Sequence, residues 1–233
     1  MKKNIFVYLI ATFTLLFSSC LNTETEITLN KNGSGTYMLT KDFSETINML
    51  SALGSDSNDK LDSLKLAIQN DGIQQSIKAG VFPGISNVID YKTEEYVSKF
   101  SVDFASLDAL NSFLAALDGD TNTLNSDMEE VKSYWAYKMK GKKFIVEKIS
   151  LGKEEKEEEE ENENNLGVDI KEMMKETLAS FNQKTIVHFP RNIKKIYSDY
   201  GFQEADGKTV VVSVPLDVTM DDAKAAEFCV KLK

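Results

Sequence analysis

The sequence has only one histidine, His188, and two cysteines, Cys20 and Cys229. A single histidine excludes zinc sites that need several, and there is no Cys-x-x-Cys pair to supply thiolate ligands. A Ser-His-Asp or Cys-His catalytic site would have to use His188. That residue lies in Ile186-Val187-His188-Phe189-Pro190, which reads as a strand. The pattern therefore favours a histidine satisfied within a sheet over a catalytic one.

Long apolar runs are also scarce, since only the run from Ile5 to Phe17 stands out. Its length of about 13 residues corresponds to roughly 20 Å of helix, which is short of the ~30 Å hydrocarbon core of a bilayer. The run follows Met1-Lys2-Lys3 and ends at Ser18-Ser19-Cys20. A basic start, a short apolar core and small residues before the cut are typical of a secretory signal. The cysteine directly after them predicts a lipoprotein signal peptide over 1–19, with Cys20 lipidated.

Positive charge is in deficit, because 37 acidic residues outnumber 27 basic ones and the formal net charge is −10. Removal of the signal takes Lys2 and Lys3 with it, which brings the mature chain to −12. A strongly negative protein lacks the long-range attraction on which nucleic-acid binding depends. We therefore expect no nucleic-acid partner and no polybasic contact with a membrane.

The cysteine count limits the disulfide chemistry that is open to the chain. With Cys20 lipidated through sulfur, Cys229 is the only thiol left, so no disulfide can form within the chain. Cys229 alternates with Phe228 and Val230 on a predicted strand, and we interpret it as a small buried hydrophobe.

The rest of the chain alternates between hairpins and helices. Apolar residues at every second position, on either side of short turns rich in glycine or polar residues, predict hairpins. Apolar stripes at helical spacing predict amphipathic helices. The predicted hairpins have turns at 30–35, 93–95 and 140–142; the predicted helices cover 42–53, 61–68, 106–117 and 168–181; further strands are expected at 185–189, 193–198, 209–215 and 227–232. This order predicts an α+β fold, an antiparallel sheet of several hairpins with helices packed on one face.

Domain organisation follows from the same reading. Residues 20–26 are predicted to be a polar tether, and residues 27–233 a single domain. The run 153–165 has many glutamates and no apolar side chain, so it is predicted to be a disordered acidic insertion.

One loop has the spacing of a calcium site. Asp118, Asp120, Asn122, Ser126 and Glu129 occupy positions 1, 3, 5, 9 and 12 of an EF-hand loop. The sixth position is a threonine where the turn requires glycine, and a strand is predicted to follow. An acidic loop without bound metal is the preferred interpretation, and a low-affinity calcium-binding lipoprotein is one alternative function.

Two segments resemble known lipoproteins. The strand and turn from Ile27 to Leu39, directly behind the Ser-Ser-Cys signal, resemble the start of small bacterial lipoproteins of unassigned function. The segments Phe189 to Tyr197 and Gly207 to Val214 are similar to the end of LppM-type lipoprotein domains. The asparagine- and lysine-rich composition is similar to that of Bacteroidota lipoproteins. These segments cover under a quarter of the chain, and the resemblance implies an envelope protein of α+β fold, without an activity.

The sequence therefore predicts a lipid-anchored cell-envelope protein with a binding or structural role. Its expected partners are the membrane, through the N-terminal lipid, and other envelope proteins. We expect no enzyme, no catalytic residue, no metal and no cofactor. No GxxxxGK phosphate loop is present, so carboxylates are the remaining catalytic groups, and an envelope hydrolase that uses them is the other alternative.

Overall fold

A computed structural model describes residues 22–45, 47, 81–94, 96–119, 133–150, 178–179, 181–222 and 224–233. These residues form eleven strands and two helices. The strands are β1 Asn22–Leu29, β2 Gly35–Asp42, β3 Ile85–Glu94, β4 Val97–Phe104, β5 Ser133–Lys140, β6 Lys143–Ser150, β7 Asn182–His188, β8 Ile193–Tyr197, β9 Gly201–Gln203, β10 Thr209–Pro215 and β11 Phe228–Leu232; the helices are α1 Leu107–Gly119 and α2 Leu216–Asp221. The fold is α+β, as the sequence predicts.

All three predicted hairpins are confirmed. β1 pairs with β2, β3 with β4 and β5 with β6, each antiparallel. Their turns contain residues suited to tight reversals. Gly33 has φ +87° in the first hairpin and Gly141 has φ +62° in the third, a left-handed backbone region that glycine adopts without a steric penalty.

The strands form two sheets, whereas the sequence predicts one. The larger sheet has the order β3-β4-β2-β1-β7-β10-β9, and the smaller has the order β5-β6-β11-β8. Within the larger sheet, β1 and β7 are parallel. The third hairpin pairs with β11 rather than joining the other two hairpins. The short strand β9 and the helix α2 were not predicted.

The core lies between the two sheets. It contains buried residues of the larger sheet, such as Ile27 and Val187, and of the smaller sheet, such as Phe144 and Val230, each with no exposed area. Side chains alternate across a strand, so only one face of each sheet contributes to this core. The opposite faces of both sheets carry the polar and charged residues discussed below.

Helix α1 covers the inner side of β4, and the predicted helix over 106–117 is confirmed. The hydroxyl of Ser106 accepts a hydrogen bond from the backbone N–H of Ala109 at 3.2 Å, which caps the first turn. The apolar stripe of α1 is buried, and the ring of Phe113 lies 6.1 Å from that of Phe100 on β4. Burial of this stripe supplies most of the stability of such a helix.

The side chain of Asn111 joins α1 to β5 by two hydrogen bonds. Its Nδ2 donates to the carbonyl of Tyr137 at 2.8 Å, and its Oδ1 accepts from the N–H of Tyr137 at 2.8 Å. The amide therefore satisfies both backbone groups of a strand residue, as a neighbouring strand would.

Two expectations about the chain are corrected. The tether predicted over 20–26 is shorter, because β1 begins at Asn22 and is paired on both sides, with β2 and with β7. Cys229 is half-buried on the outer face of β11, whereas Phe228 and Val230 point into the core. The strand and its alternation were predicted correctly, but the expectation that Cys229 is buried was wrong.

Several predictions fall wholly or largely outside the described residues. These are the lipidated Cys20, the helix over 61–68, the ligand-like loop 118–129, the acidic insertion 153–165 and most of the helix over 168–181. Of the last, Leu178 and Phe181 are buried and pack with Leu216 of α2.

Candidate functional site

The outer face of the larger sheet carries an open concavity around His188. Four strands contribute to it: β1 supplies Glu26, β7 supplies His188, β10 supplies Thr209 and β9 supplies Phe202. Its volume is about 500 Å³. The parallel pairing of β1 with β7 places these two strands side by side, and the β10 register then places Thr209 directly opposite His188.

A continuous chain of hydrogen bonds crosses this concavity. Nε2 of His188 lies 2.9 Å from Oε1 of Glu26, and Nδ1 lies 2.9 Å from Oγ1 of Thr209. The Thr209 hydroxyl in turn donates to Oδ2 of Asp206 at 2.6 Å. The sequence interpretation of His188 as a satisfied strand histidine is therefore confirmed, because both ring nitrogens have partners.

The hydroxyl of Thr209 links His188 to Asp206. Thr209 has one hydroxyl proton, and that proton is donated to Asp206. Its oxygen also lies within hydrogen-bond distance of Nδ1 of His188, and the Glu26 carboxylate lies within that distance of Nε2. His188 and Thr209 are therefore held between the carboxylates of Glu26 and Asp206.

Asp206 closes the turn that leads into β10. Its Oδ1 accepts from the backbone N–H groups of Lys208 at 2.8 Å and Thr209 at 2.9 Å. The Thr209 hydroxyl and these backbone donors favour the charged carboxylate, and they hold the pKa of Asp206 below its ordinary value. The charge of His188 acts in the same direction more weakly. Asp206 therefore works as a local cap for this turn.

The lowered pKa of Asp206 predicts a dependence of stability on pH. A carboxyl whose pKa is lower in the folded chain stabilises the fold above its unfolded pKa, and this contribution is lost as pH falls through the folded pKa. We expect Asp206→Asn to lower the free energy of unfolding near neutral pH, and the difference from wild type to shrink as the medium is acidified below pH 3.8. Urea unfolding at a series of pH values measures this difference.

Asp199→Asn serves as the control for that experiment, because Asp199 is exposed and has no side-chain hydrogen bond in the described part of the chain. It should change the pH profile little. A difference between wild type and Asp206→Asn that is the same at every pH would contradict the prediction.

The floor and wall of the concavity are apolar. Ile186 and Val211 form the floor, and Val211 is buried although it lies on the outer face. Phe202 stands at the wall with 53 % of its surface exposed, which is unusual for a large aromatic side chain. Lys184 lies at the rim, paired with Glu24 at 2.9 Å. A ligand with an apolar body would contact the floor, and its polar groups would meet the charged rim.

The arrangement suits binding better than acyl transfer. Thr209 is the hydroxyl beside the histidine, but it is buried and its proton is already donated to Asp206. A nucleophile needs an adjacent base that takes its proton, and the Thr209 hydroxyl is directed at Asp206 rather than at the imidazole. Among the described residues, no group of three His, Cys, Asp or Glu side chains could hold a metal ion. No helix in this part of the chain is long and apolar enough to span a membrane.

The other residues of the concavity were not identified from the sequence. Glu26 and His188 are separated by 162 positions, and only the pairing of β1 with β7 makes them neighbours. The turn Asp206-Gly207 carries a recognisable local signal, because aspartate accepts backbone N–H bonds and Gly207 has φ +70°. That signal indicates a turn and not its position beside His188.

Comparison of the chain with protein-family models, with characterised proteins and with solved structures found no match.

Proposed function

We propose that this protein is a lipid-anchored component of the bacterial cell envelope with a binding role, attached to the membrane through acyl chains on Cys20. The N-terminal pattern supports the attachment, because a basic start, a short apolar run and a small pair directly precede the cysteine. The resemblance of the segments around β1, β8 and β10 to bacterial lipoproteins supports it further.

The observation that carries the proposal is the position at which the fold begins. β1 starts at Asn22, so only one residue separates it from Cys20, and its first residues pair with both β2 and β7. In an anchored protein, almost no linker would then separate the lipid from the folded part of the chain. The domain would be held at the membrane surface with the Asn22 end of the larger sheet nearest to the lipid.

The binding role is favoured by the open concavity around His188. Its floor is apolar, its rim is charged, and its carboxylates already accept hydrogen bonds. A carboxylate-dependent hydrolase needs one carboxyl free to give or take a proton at the substrate. Glu26 and Asp206 are instead engaged in holding His188 and the turn before β10.

The anchor is tested on the full chain, expressed with its own N-terminus in a bacterium that processes lipoproteins. We expect the protein to enter the detergent-rich phase on phase separation, and its N-terminal peptide to begin at a Cys20 that carries acyl groups by mass spectrometry. An unmodified Cys20, or a wild-type protein found in the aqueous phase, would reject the proposed attachment.

A further inference from the structure

The outer face of the smaller sheet carries one lysine on each of its four strands, in one row. Lys140 on β5 pairs with Lys143 on β6, Lys143 pairs with Lys231 on β11, and Lys231 pairs with Lys195 on β8. We refer to these four residues as the lysine row. Neighbouring strands are ~4.8 Å apart, so the row extends over roughly 14 Å.

The four lysines point away from the core. On β6 and β11 the residues beside them in sequence, Phe144, Val230 and Leu232, are buried, and alternation sends the lysines to the opposite face. Lys140, Lys143 and Lys195 are exposed, and Lys231 is half-buried. Their charged ends are therefore available to a partner in solution.

Among the residues that the structure describes, no acidic side chain forms an ion pair with the lysine row. Within the part of the chain that the structure describes, ion pairs are made by Lys138, which pairs with Glu147 on the same face, and by Lys184 on the other sheet. None of the four lysines of the row takes part in one. The Nζ of Lys195 lies 4.6 Å from the ring centre of Tyr197, a contact that favours one orientation of this side chain. A row of unpaired cations is unexpected on a chain with formal charge −10.

The positive charge of this sheet is concentrated at the end where the row lies, and exposed Lys142 and Lys233 adjoin the row there. The adjacent row on this face contains Lys138, Ile145, Cys229 and Tyr197, and its single lysine is paired with Glu147. Four charges in one row, each one strand apart, match an extended chain that carries anionic groups along its length.

The row also lies at the end of the molecule away from Asn22. The backbone N–H of Ile193, at the start of β8, donates to the carbonyl at 207, just before β10 begins. The first residue of β10 pairs with His188, and His188 pairs with Thr28 near the end of β1. β1 is 8 residues long, so at ~3.3 Å per residue its two ends are about 23 Å apart. With the membrane at the Asn22 end, the row faces away from it.

We propose that the lysine row binds a linear anionic polymer, which crosses the four strands with successive phosphate or carboxylate groups against successive lysines. The choice of a polymer over the membrane rests in part on the proposed anchor at Cys20. The binding itself depends only on the row, so its failure and the failure of the anchor would be seen in different measurements.

The test measures binding of long-chain polyphosphate to the purified full chain in non-ionic detergent, at several salt concentrations. Wild type should bind, with an affinity that falls steeply as salt rises, because bound charges release counterions. The variant Lys140→Ala/Lys143→Ala/Lys195→Ala should bind on the order of a hundredfold more weakly, with a salt slope smaller by about three. Orthophosphate at the same phosphate concentration should not compete, because it cannot span the row.

Two further variants distinguish binding by the lysine row from a general effect of the protein's positive charge. Lys31→Ala/Lys208→Ala/Lys224→Ala removes the same charge from three exposed lysines elsewhere and should keep nearly wild-type binding. Lys140→Arg/Lys143→Arg/Lys195→Arg keeps the charge and should bind like wild type, which also covers the case in which the alanine variant fails to fold.

Three results would overturn the proposal. The first is equal loss of binding in the row variant and the matched control. The second is row-dependent binding to vesicles of phosphatidylcholine and phosphatidylglycerol that is tighter than binding to polyphosphate, which would assign the row to a membrane. The third is binding that is seen only after deletion of 154–163, which would show that the row binds the glutamates of the chain itself.

Discussion

Replacement of Cys20 by serine is expected to abolish lipidation and the cleavage that accompanies it. The serine hydroxyl cannot take the place of the thiol to which the lipid is attached, so an unlipidated precursor should accumulate, held at the membrane only by its uncleaved signal. Mass spectrometry should find the residues from Met1 onwards still attached. Detergent phase separation of the solubilised protein should show wild type in the detergent phase and a shift of the variant towards the aqueous phase.

The size of this effect follows from the energetics of acyl chains. A single chain gives only marginal binding, whereas two or three chains, at about 0.8 kcal/mol per buried CH₂, hold a protein firmly. The mature chain is strongly acidic and its lysine row is expected to face away from the membrane, so electrostatics would contribute little to attachment. Cys229→Ser is the matched control, because Cys229 lies on the outer face of β11 and is 209 positions from Cys20 in the sequence. Loss of attachment in both variants would contradict the assignment to Cys20.

Leu114→Asp is expected to destabilise the fold more than any other single change considered. Leu114 lies on the buried stripe of α1 with 8 % of its surface exposed. The substitution removes a buried apolar side chain and places a carboxylate without a partner against the core. The combined cost is on the order of 3–5 kcal/mol, which is a large part of the 5–15 kcal/mol that stabilises a typical domain.

Ser112→Asp tests whether the effect comes from burial. Ser112 is exposed on the same helix, so the new carboxylate remains in water and the free energy of unfolding should change by about 0.5 kcal/mol or less. Urea unfolding followed by circular dichroism compares the two variants. Similar midpoints for both would show that α1 does not pack as described.

The elements that could be predicted from sequence are those whose signals are local. The hairpin turns at Gly33 and Gly141 and the apolar stripe of α1 are each contained within a few residues, and all were predicted correctly. The division into two sheets could not be predicted in the same way. Whether β11 pairs with the third hairpin or with the other two depends on contacts between segments about 80 residues apart.

The same reason explains why the concavity around His188 and the lysine row were not predicted from the sequence. Glu26, His188 and Asp206 belong to three separate segments, and their hydrogen-bond chain exists only once the β1, β7 and β10 registers are set. The net charge, which is a sum over the chain, argued against a nucleic-acid partner and a polybasic contact with a membrane. It contains no information about which lysines face the same way, and the lysine row arises from the pairing of four strands.

The two hydrogen bonds of Asn111 have a consequence for association between copies of the protein. A strand at the border of a sheet exposes unpaired N–H and C=O groups, which can template the addition of a strand from another molecule. β5 is such a border strand, and Asn111 occupies both free groups of Tyr137 near its middle. Growth of the smaller sheet past β5 would first require this side chain to be displaced. If the protein is anchored as proposed, copies on one membrane surface would meet often, and Asn111 would oppose the addition of a strand at the β5 border.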